Sequence, residues 1–525
     1  MEVNRLNTRT ELGHGVIGGA LSLTVATVVV KLLGVLYKIP LATVLGDEGM
    51  GYFNSTYTVY GFFYLLCTAG VPKSVMILIS ERLDKSKEIV RACISAFLLI
   101  GFSLAAIFAV SSGGIADAIG SSDSRATMIC VAPSIAFCAV AGVIRGYLSA
   151  NMNFISIAIS QIIEGTVKLI LGLLLAMLAQ SKGYSPSVIS AYTIIGVTIG
   201  SFVGLIYLLI SSKIKNIYDN TEQKLDLKTC SSIVYRVSRV SLPITLSAAL
   251  MSLTGMIDLA LVIRRLEMIG YSVKESTALY GNYTTLAVSM YNLAIALITP
   301  ISVAFMPVFA RCRSEGDFRS FRGSVRDSLD ITSVVAAPIS IGIAVYSKEI
   351  LTMLFGREAA TLGAPLLVLL APAVIFTSYV LIFNSALESL GRPALATLSM
   401  AVCAVVKVIT SGVLLGNSDF GISGAPIGTV VSYSAAFLIS LLCISHILGY
   451  VPPIAVSALL PCLLSAISVL ASRLVFEAAI LRCSEAVSLI LSIGFAALIY
   501  IAISVFCGAV SVEKISKIAK STNLC

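Results

Sequence analysis

Four lysines fall inside long apolar stretches of the chain: Lys31, Lys73, Lys168 and Lys407. A lysine at mid-bilayer costs about 2.5–3.5 kcal/mol on insertion scales, so such residues mark a water-filled cavity or an ionic partner. Lys38 lies seven residues beyond Lys31, on a similar helical face and closer to the interface. Lys73 follows Pro72, which interrupts the local hydrogen-bond ladder; the lysine either faces a cavity or anchors at the inner interface. Glu164 and Lys168 stand four residues apart with the acid first, the favourable order for an ion pair on a helix surface. That spacing predicts either a neutral structural pair or one that responds to a proton or cation. Asp258 precedes Arg264 and Arg265 by one to two turns and reads as part of a charged cluster near a helix end. Lys407 has no acidic residue nearby in sequence, so it faces a cavity or pairs across helices. Arg145, Glu388 and Arg392 read as interfacial, at inner helix ends. If several of the lysines share one cavity, that cavity is net positive and draws anions in low dielectric. A phosphorylated, lipid-linked substrate suits such a cavity better than a cationic drug.

The elements that position these charges follow from composition. Of 525 residues, 57% are apolar and 12% charged, against about 25% charged in soluble domains. Mean hydropathy is +0.97. These values exclude a soluble enzyme, a disordered chain and a disulfide-built secreted domain. Apolar runs of spanning length fall at about 14–37, 53–79, 89–113, 125–149, 155–179, 187–211, 238–263, 281–310, 327–347, 361–386, 394–416, 422–448, 453–473 and 484–510. They predict an all-α integral membrane protein of about fourteen transmembrane helices. The first run is too long for a cleavable signal segment. With both termini cytoplasmic, 22 of the 36 Lys and Arg fall in inner segments, ten in outer segments and four within spans. That bias sets the orientation in the cell membrane.

Tyr52 and Pro72 in the second run have weak echoes in Tyr280 and Pro300 of the eighth. The echo predicts two six-helix lobes, residues 1–225 and 226–450, around a central cavity, with two further helices in 451–525. The longest loop, about 212–237, is too short for a catalytic domain. The twelve cysteines are scattered with no C-x-x-C pair, so no metal or cofactor is expected. No basic run with interleaved aromatics points to nucleic acid.

Several stretches carry a family resemblance: KLLGVLYKIPLATVLGDEGMGYFNSTYTVYGFFYLLCTAGVPKSV (31–75), MIDLALVIRRLEMIGYS (256–272), TALYGNYTTLAVSMYNL (277–293), ISVAFMPVFARC (301–312), GRPALATLSMAVCAVVKV (391–408) and GISGAPIGTVVSYSAAFLIS (421–440). In this order they resemble the stage V sporulation protein B family. Those are polysaccharide transporters of the multidrug/oligosaccharidyl-lipid/polysaccharide exporter superfamily. The resemblance implies fourteen helices around a central cavity and alternating access that carries a lipid-linked oligosaccharide to the outer leaflet. It also implies a monomer among membrane lipid, alongside cell-wall synthesis enzymes. In the related MurJ-type lipid II flippases, basic residues of helices 1, 2 and 8 line the cavity. Lys31 matches the first by position and Lys73 the second loosely. The eighth run has no Lys or Arg between Tyr280 and Arg311. Arg264 and Arg265 match a basic pair of the sporulation branch and take that role instead.

Two other readings compete. A cation-coupled multidrug exporter needs carboxylates deep in the bundle, for which Glu164 and Asp258 are the candidates. A membrane glycosyltransferase needs outward acids such as Asp47 and Glu48, but Gly46, Gly49 and Gly51 mark that pair as a turn.

Overall fold

Long unalternating apolar runs can satisfy their backbone amides in lipid only as helices. The computed structural model builds them so. It describes residues 2–81, 86–151, 153–212 and 227–507; at 2–28, 31–32, 35, 80–81, 227–228, 243, 246–248, 250–251, 253–254 and 307 it describes the backbone alone. Among the described residues all regular structure is helical. The helices are α1 (Glu2–Thr68), α2 (Val71–Glu81), α3 (Ser86–Ala118), α4 (Arg125–Ala150), α5 (Phe154–Ser181), α6 (Pro186–Ser211), α7 (Leu227–Met268) and α8 (Val273–Asn282). They continue with α9 (Ser289–Ser314), α10 (Phe318–Val345), α11 (Ser347–Phe355), α12 (Arg357–Leu370), α13 (Pro372–Ser389), α14 (Pro393–Leu415), α15 (Gly424–Leu448), α16 (Ile454–Ile480) and α17 (Glu485–Phe506).

Eleven helical segments of the described residues are long and apolar enough to cross a membrane, and twelve if α12 and α13, bent by 44° at Ala371, make one span. The chain is a multi-pass membrane protein. The expected runs at 14–37 and 238–263 fall largely or partly on side chains outside the described set.

The ends of the helices are written locally. Asp317 accepts hydrogen bonds from the amides of Arg319 and Ser320 and so caps α10. The Ser320 hydroxyl and amide hold the Asp317 carboxyl below the usual carboxylate range. Pro is the first residue of α6, α13 and α14. Gly449 ends α15 in the left-handed conformation. Within α1, Gly46 departs from helical geometry with φ 65° and ψ −178°, so α1 is two helices joined at a bend.

The helices form two compact units. The first comprises Met1–Glu267 with Tyr271–Gly281, and the second Met268–Gly270 with Asn282–Cys525. The core of the first gathers Val75, Ile79, Val90, Cys93, Ile144 and Leu208. Its helices also cross at glycines. A Cβ on Gly51 of α1 would collide with the backbone carbonyl of Thr277 on α8, and one on Gly281 would lie 2.6 Å from the Gly51 nitrogen. Gly51→Val is therefore expected to overpack this crossing at about 1–3 kcal/mol. Thermal shift of the purified protein should fall by several degrees.

The second unit packs around Phe305, Phe309, Phe321, Phe383 and Ile444. Polar contacts fix α16 and α17 to it: Ser457 donates to Asp330 at 2.5 Å, Tyr346 meets Ser472 at 2.7 Å, and Tyr500 donates to the Val334 carbonyl at 3.0 Å. Arg473 lies 2.6 Å from Glu349.

Several residues of the first unit recur with the same identity in the second at one constant spacing along the chain. Pro133 and Pro372, Ser160 and Ser399, Lys168 and Lys407, and Ser201 and Ser440 are such counterparts. Cys138 meets the Tyr60 hydroxyl, and its counterpart Thr377 meets Tyr291. Ser201 donates to Glu164, whereas Ser440 donates to Asn384. Charge breaks the scheme: Arg145 and Glu164 of the first unit correspond to Asn384 and Cys403 of the second.

Candidate functional site

A cavity of about 490 Å³ opens inside the first unit, bounded by α1, α4, α5, α6 and α7. This is the size of a small-molecule site. Its chemistry comes from two walls.

The C-terminal half of α1 supplies aromatic rings at helical spacing. Phe53 stacks on Tyr57 with ring centres 5.8 Å apart, Tyr57 is 5.8 Å from Tyr60, and Tyr60 is 5.7 Å from Tyr64. Tyr37 adds an edge contact to Phe53 at 6.2 Å. Tyr37, Tyr57, Tyr60 and Tyr64 all line the cavity.

The opposite wall carries the charges, on α4 and α5. Arg145 of α4 donates to the Glu164 carboxylate of α5 at 3.0 Å, and the two side chains keep only 11% and 24% of their exposure. Ser201 of α6 donates to the other Glu164 oxygen at 3.3 Å. Lys168 lies one turn beyond Glu164 and turns away from it. Its ammonium donates to the Tyr57 hydroxyl at 3.0 Å and sits 4.3 Å from the centre of that ring. It lies 5.7 Å from the Tyr37 ring. Two cations and one carboxylate face the cavity, leaving it net positive. Two buried donors beside it, the Tyr37 hydroxyl and Arg145 Nε, have no hydrogen-bond partner among the described residues.

The position of α5 depends on α6. The sequence G-V-T-I-G-S-F-V-G places Gly196, Gly200 and Gly204 on one face of α6. A Cβ on Gly196 would stand 2.5 Å from Gly172 Cα, and one on Gly200 would stand 2.8 Å from the Glu164 carbonyl oxygen. The two helices touch backbone to backbone at the level of Glu164 and Lys168.

The sequence-based expectations fare differently. The expected Glu164–Lys168 pair is replaced by Arg145–Glu164, because Arg145 reaches the carboxylate across the helices while Lys168 has an aromatic face to lie on. Arg145 is no interfacial residue: it is buried in the cavity wall. Lys38 is half-buried on α1 beside Tyr37 and does not line the cavity. Lys73 on α2 and Arg264 on α7 are exposed, and Arg265 and Asp258 are half-buried, all four outside the cavity wall. Lys407 belongs to the second unit. The Lys31 side chain lies outside the described residues. Of the acidic pair considered for glycosyl transfer, Glu48 is engaged: Tyr52 donates to it at 2.7 Å, and Lys274 lies 3.5 Å away. Among the described residues no group of three or more His, Cys, Asp or Glu is placed to hold a metal.

Two features escaped the sequence reading. The tyrosine face follows from the i, i+3, i+4 spacing of Phe53, Tyr57, Tyr60 and Tyr64. The small-residue repeat on α6 is legible as G-x-x-x-G-x-x-x-G.

Comparison with known proteins places this cavity in context. The family described as "Polysaccharide biosynthesis protein" matches residues 16–313, more than half of the chain. The lipid II flippase MurJ of Bacillus subtilis (strain 168) is 22% identical over 481 residues, covering 87% of this chain and 88% of that protein. Stage V sporulation protein B of the same organism is 20% identical, covering 82% and 83%. A solved structure of a lipid II flippase MurJ in an inward closed conformation superposes with a TM-score of 0.71 at 15% identity, covering 92% of this chain and 98% of that one.

Proposed function

The chain belongs to the polysaccharide biosynthesis protein family, and from that premise we propose that it is a flippase: it moves an undecaprenyl-pyrophosphate-linked saccharide, lipid II or a related cell-wall precursor, across the cytoplasmic membrane by alternating access. It is a transporter rather than an enzyme. One observation carries the reading: the cavity of the first unit sets two cations against one carboxylate, beside a wall of tyrosines. A net positive, partly dehydrated site favours a phosphate over a cation. The aromatic wall suits a sugar, whose C–H edges meet the negative faces of the rings.

The same observation weighs against a cation-coupled drug exporter. Glu164 is the carboxylate of the cavity, and Arg145 already neutralises it. The proposal includes fourteen spans with both termini cytoplasmic, two six-helix lobes and two further C-terminal helices. The recurrence of the Pro133, Ser160, Lys168 and Ser201 pattern supports the two lobes. An inside-negative membrane potential helps return the emptied cavity inward, at about 2.3 kcal/mol per charge per 100 mV for a charge that crosses fully.

Complementation in cells depleted of their lipid II flippase tests the substrate. The wild-type chain is expected to restore growth. Absence of rescue by wild-type protein that is inserted and stable would overturn the assignment to lipid II.

A further inference from the structure

Lys168 carries a charge that no carboxylate meets among the described residues. Its contacts are the Tyr57 hydroxyl at 3.0 Å and the faces of Tyr57 and Tyr37, and the charge of Lys38 that acts on it is of the same sign. Arg145, the other cation of the cavity, is held by Glu164 at 3.0 Å. An anion that drew Arg145 away would strand the Glu164 carboxylate, at high cost in a buried site. Lys168 leaves only the neutral hydroxyl and ring of Tyr57 when it moves, and a phosphate holds an ammonium more strongly than these do. The counterparts of Arg145 and Glu164 in the second unit are the uncharged Asn384 and Cys403. The pair that reserves a lysine for a ligand is thus a feature of the first unit.

The tyrosine wall completes the site. Tyr57 is 38% exposed, and Lys168 lies over its ring. While the ammonium is there, that face is closed to anything else. Beyond it Tyr60 and Tyr64 continue the wall at 5.7–5.8 Å steps. The Tyr37 hydroxyl and Arg145 Nε, both buried behind this wall, have no hydrogen-bond partner among the described residues.

We propose that this cavity is a glycosyl-phosphate subsite in which Lys168 and Tyr57 act as an exchange pair: the ammonium leaves Tyr57 for the phosphate, and the freed ring takes the sugar next to it. The inference rests on the lipid-linked saccharide reading and deepens it, by assigning one residue to the phosphate and another to the adjoining sugar. Phosphate binding exposes the sugar's platform, so the two halves of the ligand are recognised in sequence. A lipid diphosphate without a sugar leaves the uncovered ring facing water.

The full chain in lipid nanodiscs, titrated with two probes, tests this. One probe is farnesyl diphosphate linked to N-acetylglucosamine. The other is the methyl ester of farnesyl diphosphate, with the same charge and no sugar. Wild type should bind both, the sugar-bearing probe about tenfold more tightly. Lys168→Met should weaken both about tenfold, and Lys168→Arg should restore them. Tyr57→Leu should remove the preference for the sugar-bearing probe while leaving the sugar-free one bound. Tyr57→Phe keeps the ring and drops the hydroxyl that holds the ammonium, and should bind both probes at least as tightly as wild type. Gel filtration and thermal stability establish that each variant is folded. The exchange pair is overturned if folded Lys168→Met binds both probes as wild type does, or if Tyr57→Phe weakens both. Wild-type protein that binds neither probe would overturn the lipid-linked saccharide reading as well.

Discussion

Arg145→Ala is expected to remove most folded protein from the membrane and to abolish transport. The substitution leaves Glu164 in the cavity wall with Ser201, at 3.3 Å, as its remaining hydrogen-bond donor among the described residues. Breaking a buried ion pair from one side costs about 3–5 kcal/mol, a large fraction of the stability of a small folded unit. The double variant Arg145→Ala with Glu164→Gln removes both charges and should recover most of that loss. Yield and heat-resistant monomer in fluorescence-detected gel filtration give the stability side. Rescue of flippase-depleted cells gives the function side. If the single variant is as stable as wild type, the pair contributes nothing to the fold of this unit.

Gly196→Leu is expected to be as damaging for a different reason. A Cβ at this position would stand 2.5 Å from the backbone of Gly172, so α6 must move away from α5. Backbone gives way less readily than a flexible side chain, and overpacking of this kind costs about 3 kcal/mol or more. The displacement carries Ser201 away from Glu164 and shifts Lys168 against Tyr57. Transport should be lost even in the fraction that folds. Gly34→Ala lines the same cavity without meeting any atom within 4 Å, and should leave yield and transport near wild type. A Gly196→Leu variant with normal yield and rescue would show that the close helix contact is dispensable.

Much of the membrane architecture was written in hydropathy. Apolar runs of twenty-odd residues cannot hide from a count along the chain, and α3 to α6 and α14 to α17 lie where those runs lie. The partners of the charges were not legible in the same way. Sequence spacing sees i and i+4 on one helix, so it joined Glu164 to Lys168. It cannot see that Arg145 of the preceding helix reaches the same carboxylate, nor that Tyr57 offers Lys168 a ring face. The family resemblance assigns Lys73, Arg264 and Arg265 to a central cavity; they are not in the wall of the cavity inside the first unit. The tyrosine face of α1 was readable from its periodicity. It was passed over because aromatics in apolar runs resemble ordinary packing residues until a cavity is seen beside them.

Arg145 and Glu164 are nineteen residues apart, on consecutive helices. The closeness matters while the chain is being made. Each charge alone would add about 2.5–3.5 kcal/mol to the transfer of its segment from the translocon into lipid. A pair within one helical hairpin can neutralise itself as soon as the second segment emerges from the ribosome, before any later helix exists. The most polar spot of the cavity is thereby the work of two neighbouring helices, and its biogenesis need not wait for the second half of the chain.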